Sequence, residues 1–139
     1  MKTKLSILVF FGITILLFTS CDPGFSYTKK IVNSSNYDVL IIVADTNHKH
    51  AFNAYGFDSL KVVKHSESEI ASDGGLGNTS PYEKCDYFND SLIVKIIGFD
   101  TLHLTVDIND CSNWKYTQIS EKSGGVGECK FVIDDWIIK

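Results

Sequence analysis

Apolar and polar residues alternate most regularly in the last third of the chain, in residues 101–108. Four aliphatic residues occupy every second position: Leu102, Leu104, Val106 and Ile108. The intervening positions are polar and include His103, which the alternation places on the exposed face. Strict alternation is typical of a strand with one buried and one solvent-exposed face. Residues 91–98 carry apolar residues on one face before Gly98-Phe99-Asp100, so the two segments predict a hairpin.

Shorter apolar runs predict the other strands. They span residues 25–32, 39–44, 57–64, 67–70, 114–120 and 129–138. The unbroken run at 39–44 is typical of a central strand buried on both faces. The last two runs predict a second hairpin around a glycine-rich connection. Residues 72–85 combine glycines with a proline, a composition that predicts a long loop.

The number of strands, together with the lack of a convincing amphipathic helix, predicts an all-β fold. β-branched and aromatic residues are plentiful and alanine is scarce, which also favours strands. We expect an antiparallel immunoglobulin-like β-sandwich of about seven strands, without the Cys…Trp…Cys spacing of antibody domains. The expected organisation is a leader at residues 1–20, a tether at 21–25 and a single domain at 26–139.

The leader has the organisation of a secretion signal. Lys2 and Lys4 precede an apolar run at residues 5–18. That length fits the apolar region of a signal peptide and is short for a membrane-spanning helix. The run ends at Phe18 and is followed by Thr19, Ser20 and Cys21.

Residues 18–21, Phe-Thr-Ser-Cys, resemble a bacterial lipobox of the relaxed kind common in Bacteroidota lipoproteins. Ser20 is the small residue that the motif places before its cysteine, while Phe18 stands where the usual motif has leucine. The resemblance implies diacylglycerol on the Cys21 thiol and an acyl chain on its freed amine. Several chains would anchor the protein stably to a membrane. The alternative is an ordinary signal peptide that leaves Cys21 as a free thiol.

The whole chain resembles small Bacteroidota-type lipoproteins of unknown function. Besides the lipobox, the similar features are a tyrosine in the first strand, residues 90–94, Asn113-Trp114 and the closing strand at residues 131–135. The resemblance implies export to the bacterial cell envelope, with the outer membrane or the cell surface favoured. It carries over no catalytic residue.

Charge and composition narrow the range of partners. The leader contains two lysines and no acid, so its removal takes the formal net charge from −4 to −6. The chain has lysines but no arginine. Arginine is the residue that contacts phosphate and guanine edges with two parallel hydrogen bonds. We therefore expect no nucleic-acid partner.

Three cysteines remain besides Cys21, which allows one disulfide and one free thiol in an exported protein. A Cys111–Cys129 bond would close a short loop around the glycine-rich turn. A Cys85–Cys111 bond would join the ends of the first predicted hairpin. Counting along the second hairpin places Ser120 opposite Cys129. We favour Cys111–Cys129 and keep Cys85–Cys111 as the alternative.

Two polar clusters have residue types that bind metals. The first is His48 and His50, with Asp45 or Asp58, and it lacks a matching third cluster. The second consists of oxygen ligands that the first hairpin would bring together: Asp86, Asn89, Asp90, Asp107, Asn109 and Asp110. It lacks the spacing and the final glutamate of an EF-hand. We expect solvated loop residues and no bound metal.

No motif for catalysis or cofactor binding is present in the sequence. The glycine runs at residues 74–77 and 124–127 lack the strand–loop–helix context of phosphate-binding loops and predict turns. The chain has no Gly-x-Ser-x-Gly elbow, and its histidines belong to no triad motif. Asp134-Asp135 is expected to be an edge or bulge feature of the last strand. We predict no catalytic residue and no cofactor, and therefore no enzyme.

Aromatic residues near loops and strand ends could contact a partner or stack on a sugar. They are Tyr82, Tyr87, Phe88, Trp114, Tyr116 and Trp136. We expect most of them in the core and a minority on a contact surface. The sequence thus predicts a lipid-anchored, non-enzymatic interaction module that binds a protein or glycan at the periplasmic side or the cell surface. The alternative is an immunity or inhibitor lipoprotein that neutralises a toxin or an enzyme.

Overall fold

The computed structural model describes residues 24–44, 58–76, 84–85, 91–120 and 125–139. Within these ranges the chain forms seven strands: β1 (Gly24–Asn33), β2 (Val39–Val43), β3 (Ser59–Val62), β4 (Ser66–Leu76), β5 (Leu92–Ile96), β6 (Lys115–Ser120) and β7 (Val126–Ile133). Two 3-10 turns, Cys111–Asn113 and Asp135–Ile137, are the helical elements of the described part. None of the helices described there is long and apolar enough to cross a bilayer.

The strands form two sheets, in the orders β4-β1-β7-β6 and β3-β2-β5. The prediction of an all-β, sandwich-like fold with about seven strands is confirmed. Adjacent strands are antiparallel except β1 and β7, which run parallel. A constant-type immunoglobulin domain places its first strand beside its second. Here β1 lies between β4 and β7 instead.

β1 is the central strand around which the core forms. Its alternate residues from Tyr27 to Asn33 are buried, as expected for a strand with one face against the core. Side chains from both sheets meet in one hydrophobic cluster that includes Tyr27 and Ile31 of β1, Phe131 of β7 and Ile41 of β2. β1 begins at Gly24, one residue before the predicted first strand.

β4 is longer than the sequence predicts. Its bounds are Ser66–Leu76, whereas residues 72–76 were predicted to belong to a loop. Pairing with β1 explains the difference, because Gly74 and Gly75 lie opposite Ser26 and Phe25. A Cβ atom on Gly75 would come within 2.9 Å of Phe25 Cε1, so this strand position favours glycine.

The first predicted hairpin does not form. β5 pairs with β2 rather than with residues 101–108, which make one isolated bridge, from Leu104 to Ile138. The alternation itself is observed, since His103 is exposed and Ile108 is buried. Alternation determines which residues face the core, but it carries no information about the neighbouring strand.

The second hairpin is confirmed as β6 and β7, with different bounds and register. β7 begins at Val126 and ends at Ile133, and the Asp135–Ile137 turn replaces the end of the predicted strand. Tyr116, not Ser120, lies opposite Cys129.

Both predicted disulfide pairings are wrong. Cys85 is bonded to Cys129, with Cα atoms 5.7 Å apart, and Cys111 is a free thiol. Cys129 points from β7 into the core, where Cys85 is also buried. Cys111 instead begins a partly exposed 3-10 turn before β6 and is displaced from Cys129 along the sheet.

A buried amide joins the two sheets. The Asn33 side chain at the end of β1 donates to the carbonyl oxygens of Tyr37 (2.8 Å) and of Val62 in β3 (3.1 Å). Its Oδ1 accepts from Ser35 Oγ (2.7 Å) and from the Ser35 backbone N–H (3.2 Å). Asn33 and Ser35 are fully buried. These bonds satisfy polar groups that would otherwise cost free energy inside the core.

The outer face of the larger sheet carries an ion-pair network. Glu128 on β7 lies 2.8 Å from the ammonium groups of both Lys30 and Lys130, and Glu67 lies 3.5 and 3.6 Å from the same two groups. The side chain of Glu128 is mostly buried. Lys130, followed by Lys30, lowers the pKa of the Glu128 carboxyl. Glu128 in turn raises the pKa of both lysines.

We predict that the double variant Cys85→Ala/Cys129→Ala is destabilised by about 4 kcal/mol, because the bond closes a loop with a sequence separation of 44 residues in the unfolded chain. Urea unfolding of the oxidised proteins measures the loss. Cys111→Ala is the matched control and should retain wild-type stability. A non-reducing peptide map that placed Cys111 in the bridge would contradict this pairing.

We also predict that, in Glu128→Gln, the free energy of unfolding falls less steeply as the pH becomes acidic. The lowered pKa of Glu128 means that its charge stabilises the fold above its ordinary pKa, and that this contribution is lost as pH falls through the lowered value. Urea unfolding from neutral to acidic pH would show a smaller decline for Glu128→Gln than for wild type. Glu67→Gln, at a more exposed and more distant carboxylate, should change the slope less. Parallel curves for wild type and Glu128→Gln would refute the role of this network.

Candidate functional site

Several predicted site residues lie outside the described part of the chain. They are Cys21, Asp45, His48, His50, Asp86, Asn89 and Asp90. Asp58, the other acid considered with the histidines, is exposed at the start of the β3 region. Among the described residues, no group of three or more His, Cys, Asp or Glu side chains could hold a metal ion.

The remaining members of the oxygen-rich cluster have structural partners. The Asn109 amide accepts from the backbone N–H of Leu92 (2.7 Å) and donates to its carbonyl (3.0 Å). The side chain thereby satisfies both backbone groups of Leu92 at the edge of β5, as the backbone of a neighbouring strand would. Asp107 accepts from the Asn109 N–H, and Asp110 accepts from the Ser112 N–H at the start of a 3-10 turn. The hydrogen bonds from Ser112 lower the pKa of Asp110.

An open groove of about 400 Å³ lies beside β5, between that strand and residues 103–109. Its lining combines aliphatic side chains such as Leu92 and Leu104 with polar ones such as His103, Asp107 and Asn109, and its accessible surface is more polar than apolar. The Asn109 amide donates to the Leu92 carbonyl and to the Asp107 carboxylate. Asn109 and Asp107 are therefore engaged in hydrogen bonds that hold the local backbone. Among the described residues that line the groove, no pair of catalytic groups converges.

Trp114 and Trp136 have opposite roles. Trp114 is buried, with its ring 5.3 Å from that of Phe131 and its Nε1 donating to the Ile108 carbonyl at 2.7 Å. The Lys29 ammonium lies 4.2 Å from the Trp114 ring centroid, a cation–π contact within the core. Trp136, by contrast, has 87% of its surface exposed. Burying a tryptophan is strongly favourable, so full exposure on an ordered turn requires an explanation.

The turn that carries Trp136 is held by its two preceding acids. The Asp134 carboxylate caps the turn, accepting from the N–H groups of Trp136 (3.0 Å) and Ile137 (3.3 Å). Asp135 accepts from the backbone N–H of Asn36 (2.9 Å) and from its side-chain amide. The Asp134-Asp135 pair was predicted to be an edge or bulge feature. Asp134 instead caps the turn, and Asp135 clamps it to Asn36, just before the tryptophan.

The residues after Trp136 are fixed as well. The Ile137 carbonyl accepts from the Thr105 N–H at 2.7 Å, and Lys139 exchanges two backbone hydrogen bonds with His103. Trp136 is therefore held on both sides in sequence while its own side chain contacts solvent. This arrangement limits the backbone entropy that would be lost when a partner covers the ring.

Two further aromatic rings lie at the same end of the sandwich. Tyr37 follows Asn36, the residue clamped to Asp135, and its ring centroid is 5.2 Å from that of Phe99. The two planes are nearly perpendicular, at 85°. Phe99 is 49% exposed and lies in the turn after β5, where Gly98 adopts a positive φ of 84°. We refer to Tyr37, Phe99 and Trp136 as the aromatic end.

A charged pair borders the aromatic end. Asp38 lies 2.7 Å from the Lys61 ammonium and accepts from the Lys64 N–H at 3.0 Å. Lys61, followed by the bond from Lys64, lowers the pKa of Asp38. The Asp38 carbonyl also accepts from the Ile97 N–H, which ties the turn carrying Phe99 to the segment carrying Tyr37.

Of the aromatic residues singled out in the sequence, Trp136 is the exposed one. Trp114 is buried, Tyr116 is partly buried, and Tyr82, Tyr87 and Phe88 lie outside the described residues. Phe99 was missed because it was assigned to the connection of a hairpin. For Trp136, the sequence did contain a signal of the turn that holds it. Asp134 lies two residues earlier, and aspartate is a frequent N-cap of short helical turns.

Comparison of the chain with protein-family models, curated protein sequences and solved structures finds no match.

Proposed function

We propose that this protein is an exported lipoprotein, anchored through lipid on Cys21, that acts as a non-enzymatic interaction module. Its aromatic end would bind a protein partner. The observation that carries the binding proposal is the exposed Trp136 ring on a turn clamped by Asp134 and Asp135. An ordered, exposed tryptophan is a frequent anchor of protein–protein interfaces.

The direction of β1 supports this arrangement. The proposed lipid site precedes Gly24, at the start of β1, whereas the clamp of the Trp136 turn lies just beyond Asn33, at its end. Nine residue steps of about 3.3 Å separate the two ends by roughly 30 Å. A lipid on Cys21 would hold the first end at the membrane and leave the aromatic end facing the aqueous compartment.

The geometry favours a protein over a glycan as partner. Sugars stack on aromatic faces, and an extended glycan would use several coplanar rings, whereas the rings of Tyr37 and Phe99 are nearly perpendicular. The carboxylates next to Trp136 accept hydrogen bonds from backbone and amide N–H groups of this chain, so they serve first to hold the turn. An apolar cavity on a protein surface would complement the tryptophan ring.

We predict that radioactive palmitate labels the wild-type protein in bacterial cells and that Cys21→Ala abolishes the label. The thiol of Cys21 is the proposed acceptor of the diacylglycerol. Cys111→Ala is the matched control and should be labelled like the wild type, because Cys111 lies within the folded domain. An unlabelled wild type, or a labelled Cys21→Ala protein, would overturn the lipid anchor.

We predict that a photoreactive phenylalanine analogue at position 136 cross-links a protein partner in cells, and that the same analogue at Ile93 does not. Ile93 is a suitable control because it is also an exposed hydrophobic residue, but it lies on β5. With the purified partner, Trp136→Ala should weaken binding by about 30-fold, the equivalent of a 2 kcal/mol hot spot. Ile93→Ala should leave the affinity unchanged.

The stability of the variants separates binding from folding. Trp136 makes few contacts, so Trp136→Ala should change the free energy of unfolding by less than about 0.5 kcal/mol. Equal affinities of Trp136→Ala and wild type for the partner would exclude the aromatic end as the binding surface. A partner that is a toxin or an enzyme, and that loses activity in the complex, would assign the neutralising role instead.

A further inference from the structure

The end of the larger sheet opposite the aromatic end has its own distinctive surface. Register places Gly24 of β1 beside Leu76 of β4, and Val126 of β7 beside Ser120 of β6. The Gly125 carbonyl accepts from the Ser26 N–H and joins β7 to β1 at the same level. The ends of four strands therefore lie side by side where the chain enters the domain. We refer to this surface, residues 24–26, 74–76, 118–120 and 125–127, as the entry end.

Two aliphatic side chains are exposed on the two edge strands of the entry end. Leu76 is the last residue of β4 and is 80% exposed. Ile119 of β6 is 58% exposed and lies where the pairing with β7 shifts register between Gln118 and Ser120. Along the part of the chain that the structure describes, these are the two most exposed aliphatic residues among the large hydrophobics. They lie on opposite edges of one sheet, at the same end.

The entry end also lacks charge. None of the residues in its four segments is ionisable, although 22% of the chain is charged. The nearest charged residues in the sequence flank those segments by one or two positions and are acidic: Asp22, Asp73, Glu121 and Glu128. Phe25 adds a half-buried ring against Gly75. An uncharged end with exposed aliphatic side chains suits an apolar environment better than water.

We propose that the entry end rests on the bilayer, with Leu76 and Ile119 inserted at the boundary between head groups and acyl chains. This inference rests on the proposed lipidation of Cys21. Only Asp22 and Pro23 separate Cys21 from Gly24, and a chain this short spans about 10 Å at most. A lipid on Cys21 thus brings the entry end to the membrane surface. Apolar side chains of surface-bound segments enter this boundary by about 5–10 Å.

Seating through both edge strands would also fix the orientation of the domain. One lipid attachment alone allows the domain to rotate about its tether. Contacts at Leu76 and Ile119, on opposite edges of the sheet, would hold β1 perpendicular to the bilayer plane. Trp136 would then lie away from the bilayer. Because the described part of the entry end carries no charge, the seating should not depend on anionic lipid or on ionic strength.

Tryptophan fluorescence of the lipidated full-length protein in phosphatidylcholine vesicles tests the proposal. Leu76→Trp, with Trp136→Phe to remove the exposed native indole, should lose most of its added emission when the vesicles contain lipids brominated on their acyl chains. Ile93→Trp with Trp136→Phe is the matched control and should keep its emission, since Ile93 lies on the side of the sandwich. Wild-type emission from Trp136 should also persist. Quenching should be the same at low and high salt.

Ile119→Trp provides a second probe should Leu76→Trp fail to fold, and it should be quenched likewise. Unquenched emission from both positions, in protein that carries the palmitate label, would overturn the seating and leave the lipid anchor intact. Equal quenching at positions 76 and 93 would mean that the domain lies on its side, which also contradicts the proposal. Emission that is blue-shifted but not quenched would assign the entry end to a protein contact or a second copy. Absence of the palmitate label would refute the proposed anchor itself.

Discussion

The Asn33 amide is the interaction on which the arrangement of the two sheets depends. It ends β1 in the larger sheet, and its two N–H groups bond to carbonyls of Tyr37, just before β2, and of Val62 in β3. Ser35 satisfies its oxygen. Removing the amide would take a hydrogen bond from the buried Val62 carbonyl and from the Ser35 N–H, whereas the Ser35 hydroxyl would keep its bond to the Tyr37 carbonyl. A buried polar group left without a partner costs about 1–3 kcal/mol. No apolar side chain could replace it without that cost, so one residue fixes where the chain leaves the first sheet and enters the second.

The parallel pairing of β1 with β7 gives the domain its polarity. The first and last strands run side by side, so the chain enters at one end of the sheet and its final turn emerges at the other. The four most exposed of the large hydrophobic side chains in the described residues follow this polarity: Leu76 and Ile119 lie at the entry end, and Trp136 and Phe99 lie at the aromatic end. Between the two ends, charged side chains such as Lys30 and Glu128 cover the outer face of the sheet. The proposed membrane contact at one end and the proposed partner site at the other would account for this distribution.

The local parts of the fold were predictable from the sequence, and the long-range parts were not. The β6–β7 hairpin was found because a short glycine-rich segment connects two apolar runs. The alternation at residues 101–108 predicted the exposure of His103 and the burial of Ile108 correctly. It did not reveal that Leu104 would bridge to Ile138 rather than face β5, because pairing between distant segments depends on the whole core. The same reason explains the wrong disulfide: Cys85 and Cys129 are 44 residues apart in the sequence and meet in the core, which no local pattern reveals.

The rigidity of the candidate site and the stability of the fold share one segment of chain. Residues 34–37 contain Ser35, which completes the hydrogen bonds of Asn33, and Asn36, which binds Asp135 beside Trp136. The Ser34 N–H also donates to the Ile133 carbonyl, where β7 leads into the Trp136 turn. Loss of the Asn33 hydrogen bonds would therefore weaken both the packing of the two sheets and the bond between Asn36 and Asp135. A partner that binds Trp136 would in turn stabilise the native state, because it would bind the folded protein and not the unfolded chain.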